Sequence, residues 1–467
     1  VWAPNLHEWI TAALGVLGAG GVLVPLNTRF KGAEAAFVLG KARARVLFTV
    51  TGFLGTDYVE LLRASGVDLP ALERTVVLRG DAPSGADSFD AYLAAGKQVS
   101  EAAALERIGG IGRDDVSDII FTSGTTGRPK GAVVTHGQSL RVYEAWTDVI
   151  GLREGDRYLI VNPFFHTFGY KAGWMSCLLR GATIVPFQVF DVPKVLAAVE
   201  REGITVLPGP PTLLQGILDA PDRSRFDLSS LRLTVTGAAA VPVKLIERLR
   251  DEMTFETIIT GYGLTETTGT AAMCRHDDDP ETIANWSGRA IPDTELGVVD
   301  DAGTAVPTGE PGEVVVRGYN VMQGYFEEPE ETKAAIDADG WLHTGDIGVM
   351  NDRGYVRITD RKKDMFIAGG FNAYPAEIEN LLLGNEALAQ AAVVGVPDER
   401  LGEVGMAFVV ARPGATVEPD ELVAWARDHM ANYKVPRYVE VVDALPLNAS
   451  GKVLKYELRA RGRARVG

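Results

Sequence analysis

Two hydrophobic periods alternate along most of the chain. Residues 9–21 and 33–43 carry apolar side chains at helical spacing, while residues 22–25 and 45–50 are short apolar runs that read as strands. Helix–strand alternation predicts a layered α/β domain. Residues 80–96 are small and polar and read as a surface connection. Beyond residue 131 the pattern returns, with helices predicted over 137–150 and 192–202 and strands over 157–161, 206–211, 231–237 and 257–261. Several of these strands run into loops of glycine and hydroxyl residues, and in open α/β sheets ligands collect at the carboxyl ends of strands. Near Glu295 the texture changes. Short strands over 295–299 and 313–317, with turn signals at Asp300-Asp-Ala-Gly303 and Asp352-Arg-Gly354, predict a small β-barrel-like unit closing the large domain. After the charged joint Asp360-Arg-Lys-Lys-Asp364, helices over 375–383 and 419–430 mix with strands over 391–396 and 406–410, the content of a small α+β domain. The expected organisation is α/β: a large domain over 1–359 and a mobile one over 360–467, with the hinge at Asp360.

One stretch stands out chemically, Thr122-Ser-Gly-Thr-Thr-Gly-Arg-Pro-Lys-Gly131. It lies between the apolar runs Asp118-Ile-Ile-Phe121 and Ala132-Val-Val134 and reads as strand, loop, strand. Gly124 and Gly127 let backbone N–H groups approach a polyanion; Thr122, Ser123, Thr125 and Thr126 add hydroxyls, and Lys130 adds charge. That is a phosphate cradle. It is not a Walker A loop, because Pro129 precedes Lys130 and Gly131 follows it. No G-x-G-x-x-G opens a helix here, so a dinucleotide fingerprint fails too.

Composition narrows the picture. A length of 467 residues exceeds one typical domain. No apolar run reaches the ~18 residues of a membrane span. Forty-six basic and 62 acidic residues leave a net charge of −16, which argues against nucleic-acid binding. Acidic and basic residues are equal in number from Arg361 onward, so the deficit lies before it; the neutral, basic-tailed end segment is either a meeting face for an anion or a solvated surface. Cys177 and Cys274 make no disulfide framework and fit a reducing cytoplasm. The opening Val1-Trp-Ala-Pro4 reads like the end of a buried strand, so a preceding segment is expected. Oligomeric state stays open, a homodimer included.

Five spaced motifs now agree. The phosphate loop, Gly261-Tyr-Gly-Leu-Thr-Glu266, Trp341-Leu-His-Thr-Gly-Asp346, Ile358-Thr-Asp-Arg361 and Pro446-Leu-Asn-Ala-Ser-Gly-Lys452, in this order, resemble the core motifs of the adenylate-forming superfamily: acyl-CoA synthetases, peptide-synthetase adenylation domains and beetle luciferases. The resemblance covers nearly the whole chain. It implies ATP, Mg²⁺ and coenzyme A, and a carboxylic acid converted to acyl-AMP and then to acyl-CoA.

Chemistry gives each motif work to do. A carboxylate must approach an anionic α-phosphate, so a metal and a cation must neutralise charge in a preorganised site. Glu266 is a hard ligand suited to Mg²⁺, and Thr265 can bond the α-phosphate. Tyr262 offers a ring to adenine or is a core aromatic; Gly261 and Gly263 flank it. Gly237, Ala238 and Ala239 are small enough for a nucleobase, and the family's loop here lines the adenine and acyl pockets. Asp346 is a ribose acceptor or a turn residue, and by resemblance Arg361 reaches the ribose too. Lys452 looks like a solvated lysine, but the resemblance makes it the bridge between carboxylate and α-phosphate, delivered by the mobile domain and then withdrawn about Asp360. Rotation would then place Gly369, Gly370 and Phe371 along a pantetheine tunnel, with Lys434 a weaker candidate. His166, between Phe165 and Phe168, is a packed histidine or, by resemblance, a positioning group between the carboxylate and thiol channels.

The acyl end is less determined. Family pockets are lined by segments that here hold Lys171, Gly173, Gly209 and Ala271, whose small members suggest room for a bulky or long acyl group. Lys171 is a surface cation or the partner of a polar group on the substrate. The stretches Asn162-Pro-Phe-Phe-His-Thr-Phe-Gly-Tyr-Lys-Ala-Gly-Trp174 and Phe371-Asn-Ala-Tyr-Pro375 look most like actinobacterial ligases acting on the propanoate side chain of the steroid ring remnant, or on fatty acids. A free-standing adenylation enzyme that loads a separate carrier protein is the alternative.

Overall fold

The structure is a computed structural model and describes residues 1–122, 129–237, 241, 243–361, 364–368, 371–398, 400–430, 432–447 and 453–466, with the backbone alone at 243, 360, 361, 371 and 372.

The principal sheet of the large domain orders its segments in space as Thr183–Pro186, Arg157–Ile160, a bridge at Val206, Leu233–Gly237 and Thr257–Tyr262, all parallel. Ala272–Met273 and Arg289–Ala290 extend it antiparallel. Parallel strands are covered on both faces and read as continuous apolar runs, and every residue of Leu233–Gly237 is buried. Flanking helices carry the expected ends. In Val192–Glu202, the Asp191 carboxylate accepts the Lys194 N–H at 3.1 Å, Pro193 fills the first turn and Gly203 closes the helix at φ 59°.

The phosphate-loop stretch leaves and re-enters a second sheet. Val116–Thr122 and Lys130–Thr135 pair antiparallel, down to Thr122 opposite Lys130. Gly324–Tyr325 adds to the outer side, opposite Val133 and Ala132. A third sheet, Val46–Val50, Arg74–Arg79 and Asp87–Ser88, is parallel.

Some expectations change. Residues 22–25 supply only a bridge from Leu23 to Asp118. Residues 206–211 supply only the bridge at Val206, because Pro208, Pro210 and Pro211 lack the N–H a ladder needs; helix Pro211–Leu218 starts there instead. The supposed connection over 80–96 contains strand Asp87–Ser88 and helix Phe89–Gly96, the latter capped by the Ser88 hydroxyl. The barrel-like unit, by contrast, stands as expected: it is a four-stranded antiparallel sheet, Thr294–Val299, Gly312–Gly318, Leu342–Met350, Val356–Arg361. The turns at Asp300 and Asp352 stand where expected, with Gly303 and Gly354 at positive φ.

The C-terminal segment builds a sheet around the long hairpin Leu388–Asp398 and Gly402–Ala411. Alternation divides its side chains. Val393, Ala407 and Val409 pack with Ile378, Leu382, Leu422 and Ala426 from helices Pro375–Leu382 and Pro419–His429; Val394, Val396, Met406 and Phe408 pack with Leu458 of helix Lys455–Val466. Among the described residues no helix is long and apolar enough to cross a membrane.

Candidate active site

The candidate residues gather where Leu233–Gly237, Thr257–Tyr262 and the phosphate hairpin end. Gly237 and Gly261 are register neighbours at the carboxyl ends of their strands. A Cβ on Gly237 would lie 2.6 Å from the Gly261 carbonyl oxygen, so only glycine lets these ends approach. Gly263 is held as tightly, 2.4 Å from the Gly269 carbonyl by the same measure. The next residue group forms a single 3-10 turn, Thr265–Thr267, ended by Thr268 at φ 58°. This turn projects Thr265 and Glu266 beyond the strand end, and the Glu266 carbonyl anchors it by accepting Met322 N–H at 2.9 Å.

Tyr262 and Asp346 meet. The phenol donates to Asp346 Oδ2 at 2.7 Å, and Asp346 is 3% exposed. Asp346 N–H donates to the Thr344 hydroxyl at 3.1 Å, across Gly345 at φ 68°. Arg361 is the backbone partner of Asp346 on the neighbouring strand. A ring, a buried carboxylate and the two close-packed glycines Gly237 and Gly261 therefore lie at the same strand ends.

A second polar cluster is built around Glu266. Its Oε1 accepts the Tyr325 hydroxyl at 2.9 Å and the Thr122 hydroxyl at 3.4 Å, while Oε2 accepts no hydrogen bond among the described residues. Lys130 pairs with Glu331 and lies 5.3 Å from the Tyr325 ring centroid. Sequence reasoning missed Tyr325 and Glu331; their only signal is a Gly-Tyr pair ahead of Pro329, which carries no chemistry until the strand Gly324–Tyr325 sets it beside Ala132.

His166 sits on the turn after strand Arg157–Ile160. Its Nδ1 accepts the Phe168 N–H at 3.2 Å, so the ring is neutral with its proton on Nε2. Loss of hydration lowers its pKa to about 4. Gly169 closes the turn; a Cβ there would come 2.2 Å from the Pro163 carbonyl oxygen.

Lys171 is corrected. It is no surface cation: it is 0% exposed, 2.9 Å from Asp118 Oδ1 and 3.0 Å from the Ser139 hydroxyl. It belongs to a π-helix, Tyr170–Met175, whose rings Tyr170 and Trp174 stack in the core beside Trp9. Its charge already meets a carboxylate, which leaves no cation for a substrate group. Gly173, Gly209 and Ala271 are also buried. A Cβ on Gly173 would lie 3.1 Å from Ile160 and one on Gly209 2.9 Å from Leu213, while Ala271 packs with Val134 and Met322. Their smallness serves close packing. Lys434 donates to Glu377 at 2.5 Å.

Ser123, Gly124, Thr125, Thr126, Gly127, Ala238, Ala239, Gly369, Gly370 and Lys452 lie outside the described residues, as do the side chains of Asp360, Arg361 and Phe371.

A tyrosine hydrogen-bonded to a buried carboxylate, and on the same segment a second carboxylate with one oxygen that accepts no hydrogen bond among the described residues, stand at the carboxyl ends of parallel strands, where open α/β sheets bind their ligands. The chain belongs to the family of AMP-binding enzymes: residues 1–326 match that family and residues 377–452 match the AMP-binding enzyme C-terminal domain. As a member it is an acid–thiol ligase, joining a carboxylic acid to coenzyme A through ATP-dependent adenylation. It is 53% identical over 462 residues, 98% of this chain and 88% of the relative, to a (7a-methyl-1,5-dioxo-octahydro-1H-inden-4-yl)propanoyl:CoA ligase of Rhodococcus jostii. A Mycobacterium tuberculosis ligase of the same description is 50% identical, covering 99% of this chain and 88% of its own. Among solved structures, the anthranilate CoA ligase AuaEII in complex with anthranoyl-AMP superposes with a TM-score of 0.87 at 31% identity, covering 99% of this chain and 87% of that one.

Proposed function

We propose that the acyl substrate is a propanoate carried on a bulky bicyclic ketone, the remnant of a steroid nucleus, and that the reaction takes place in the cytoplasm. The observation that carries this reading is the likeness, at 53% and 50% identity over nearly the whole chain, to two ligases described as acting on such an acid.

In the first half-reaction a carboxylate oxygen of the acid bonds to the α-phosphorus of ATP, the bond to the β-phosphate oxygen breaks, and pyrophosphate leaves. In the second, the CoA sulfur bonds to the acyl carbon, the bond to AMP breaks, and the thiol proton passes to solvent. Tyr262 lies against adenine and Asp346 accepts from the ribose. Lys130 exchanges Glu331 for phosphate oxygens, and Thr265 bonds the α-phosphate. Mg²⁺ fits: the ion takes one or two carboxylates plus phosphate oxygens, and Glu266 has one oxygen held and the other without a protein donor among the described residues. When bound, it supplies neutralisation of phosphate charge. Neutral His166 orients the acyl carbon's surroundings and takes no proton. Lys452 enters for adenylation and leaves by rotation about Asp360, which brings Gly369, Gly370 and Phe371 to the thiol channel.

The test is AMP release with CoA across fatty, aromatic and bicyclic propanoic acids. The bicyclic keto acid should exceed medium-chain fatty acids in kcat/KM by at least about tenfold, roughly 1.4 kcal/mol of discrimination. Equal or inverted preference would remove the substrate assignment and leave the ligase chemistry standing.

A further inference from the structure

We infer that Tyr325 is a positioning residue for adenylation, which orients the Glu266 carboxylate toward the metal and supports Lys130 toward the leaving phosphates. This rests on the reading of Glu266 as the metal ligand.

Tyr325 touches both halves of the phosphate machinery at once. Its hydroxyl donates to Glu266 Oε1 at 2.9 Å, and its ring face lies 5.3 Å from Lys130 Nζ. The backbone fixes it there. Gly324–Tyr325 pairs with Val133 and Ala132 of the strand that begins at Lys130, and Phe326 N–H donates to the Gly131 carbonyl at 2.7 Å. Tyr325 N–H is held by the Thr332 hydroxyl at 2.9 Å, which ties it to helix Pro329–Ala335, the helix carrying Glu331. The Gly324 position is tight: φ is 143°, and a Cβ would meet the Thr332 methyl at 2.7 Å. So the backbone of Tyr325 cannot shift from the hairpin without breaking a strand pair and a helix contact.

The chemistry follows from which oxygen is engaged. A carboxylate that is free to rotate presents either oxygen to a cation. Donors on Oε1 from Tyr325 and Thr122 leave Oε2, which accepts no hydrogen bond among the described residues, as the oxygen offered to an ion, and an outer partner of this kind typically contributes ten- to a hundredfold in metal affinity. A phenol, with an ordinary pKa of ~10, is a donor at neutral pH. The ring serves the other partner. Lys130 is 14% exposed and pairs with Glu331, which is 42% exposed. A pair with its acid in solvent is weak and exchangeable. When Lys130 turns from Glu331 to a phosphate, the aromatic face keeps the ammonium in place.

The experiment separates hydroxyl from ring in the intact chain. Mn²⁺ binding is followed by electron paramagnetic resonance in the presence of α,β-methylene ATP, which cannot be cleaved, and analogue binding is followed separately in EDTA. Tyr325→Phe should weaken Mn²⁺ about tenfold or more with analogue affinity in EDTA unchanged. Tyr325→Leu should weaken both. Wild-type Mn²⁺ affinity in Tyr325→Phe overturns the inference. So does an equal loss of both affinities in that variant, which would mark general damage to the fold. Glu266→Gln is the separating arm. If it loses Mn²⁺ and Tyr325→Phe does not, Tyr325 alone is misassigned; if Glu266→Gln binds Mn²⁺ normally, the metal-ligand reading itself falls.

Discussion

At His166 lost hydration decides the chemistry. With Nδ1 accepting a backbone N–H and a pKa of about 4, the imidazole is neutral at physiological pH and has no free basic nitrogen. The shift also links to stability. In the unfolded chain the ring regains a pKa near ~6.5, so between about pH 6.5 and 4 the unfolded state binds the proton first and stability falls as pH falls. The stability advantage of the natural chain over His166→Gln should shrink by up to about 3 kcal/mol as pH drops from 7 to 4, measured by urea unfolding. A constant difference would show that the ring is solvated. Sequence showed that His166 lay among aromatics but not that its Nδ1 was taken, because that bond comes from the sharp turn at Gly169. Lys171 was misread for a similar reason. Its partner Asp118 is distant in sequence, and charge alone cannot tell a surface lysine from a buried one.

Between elements, the Lys171–Asp118 pair joins the π-helix that follows His166 to the strand that runs into the phosphate loop. Both groups are fully buried, so removing one partner leaves a charge without compensation. Lys171→Met should lose about 3–5 kcal/mol in urea unfolding, and Lys171→Met with Asp118→Asn should recover more than half of that loss. A single variant within about 1 kcal/mol of the natural chain would contradict the ion pair. Elements with strong periodic signals were legible: the helix expected over 192–202 is Val192–Glu202, and the strand expected over 257–261 is Thr257–Tyr262. Weak ones were not. Helix Glu101–Gly109 has no buried residue, and the apolar run over 206–211 was undone by its prolines. The two strands that flank the phosphate stretch were legible because they are apolar runs, but the strand Gly324–Tyr325 beside them is two residues long and leaves no period to read.

On the scale of the whole molecule, the candidate residues come from four separated segments and meet only because parallel strands end at one edge while the antiparallel sheet of 294–361 brings Asp346 to the same edge. Motif order made the family legible; the mutual distances needed the fold. In the proposed mechanism carboxylate activation and thiol transfer are separate reactions, and Lys452 serves only the first. The measurement is a pair of half-reactions on Lys452→Ala: acyl-AMP formation from the acid and ATP without CoA, and acyl-CoA formation from preformed acyl-AMP and CoA. The first should fall by at least about a hundredfold, as for a removed charge-stabilising donor, and the second should stay within about threefold of the natural chain. Equal losses in both half-reactions would contradict that mechanism.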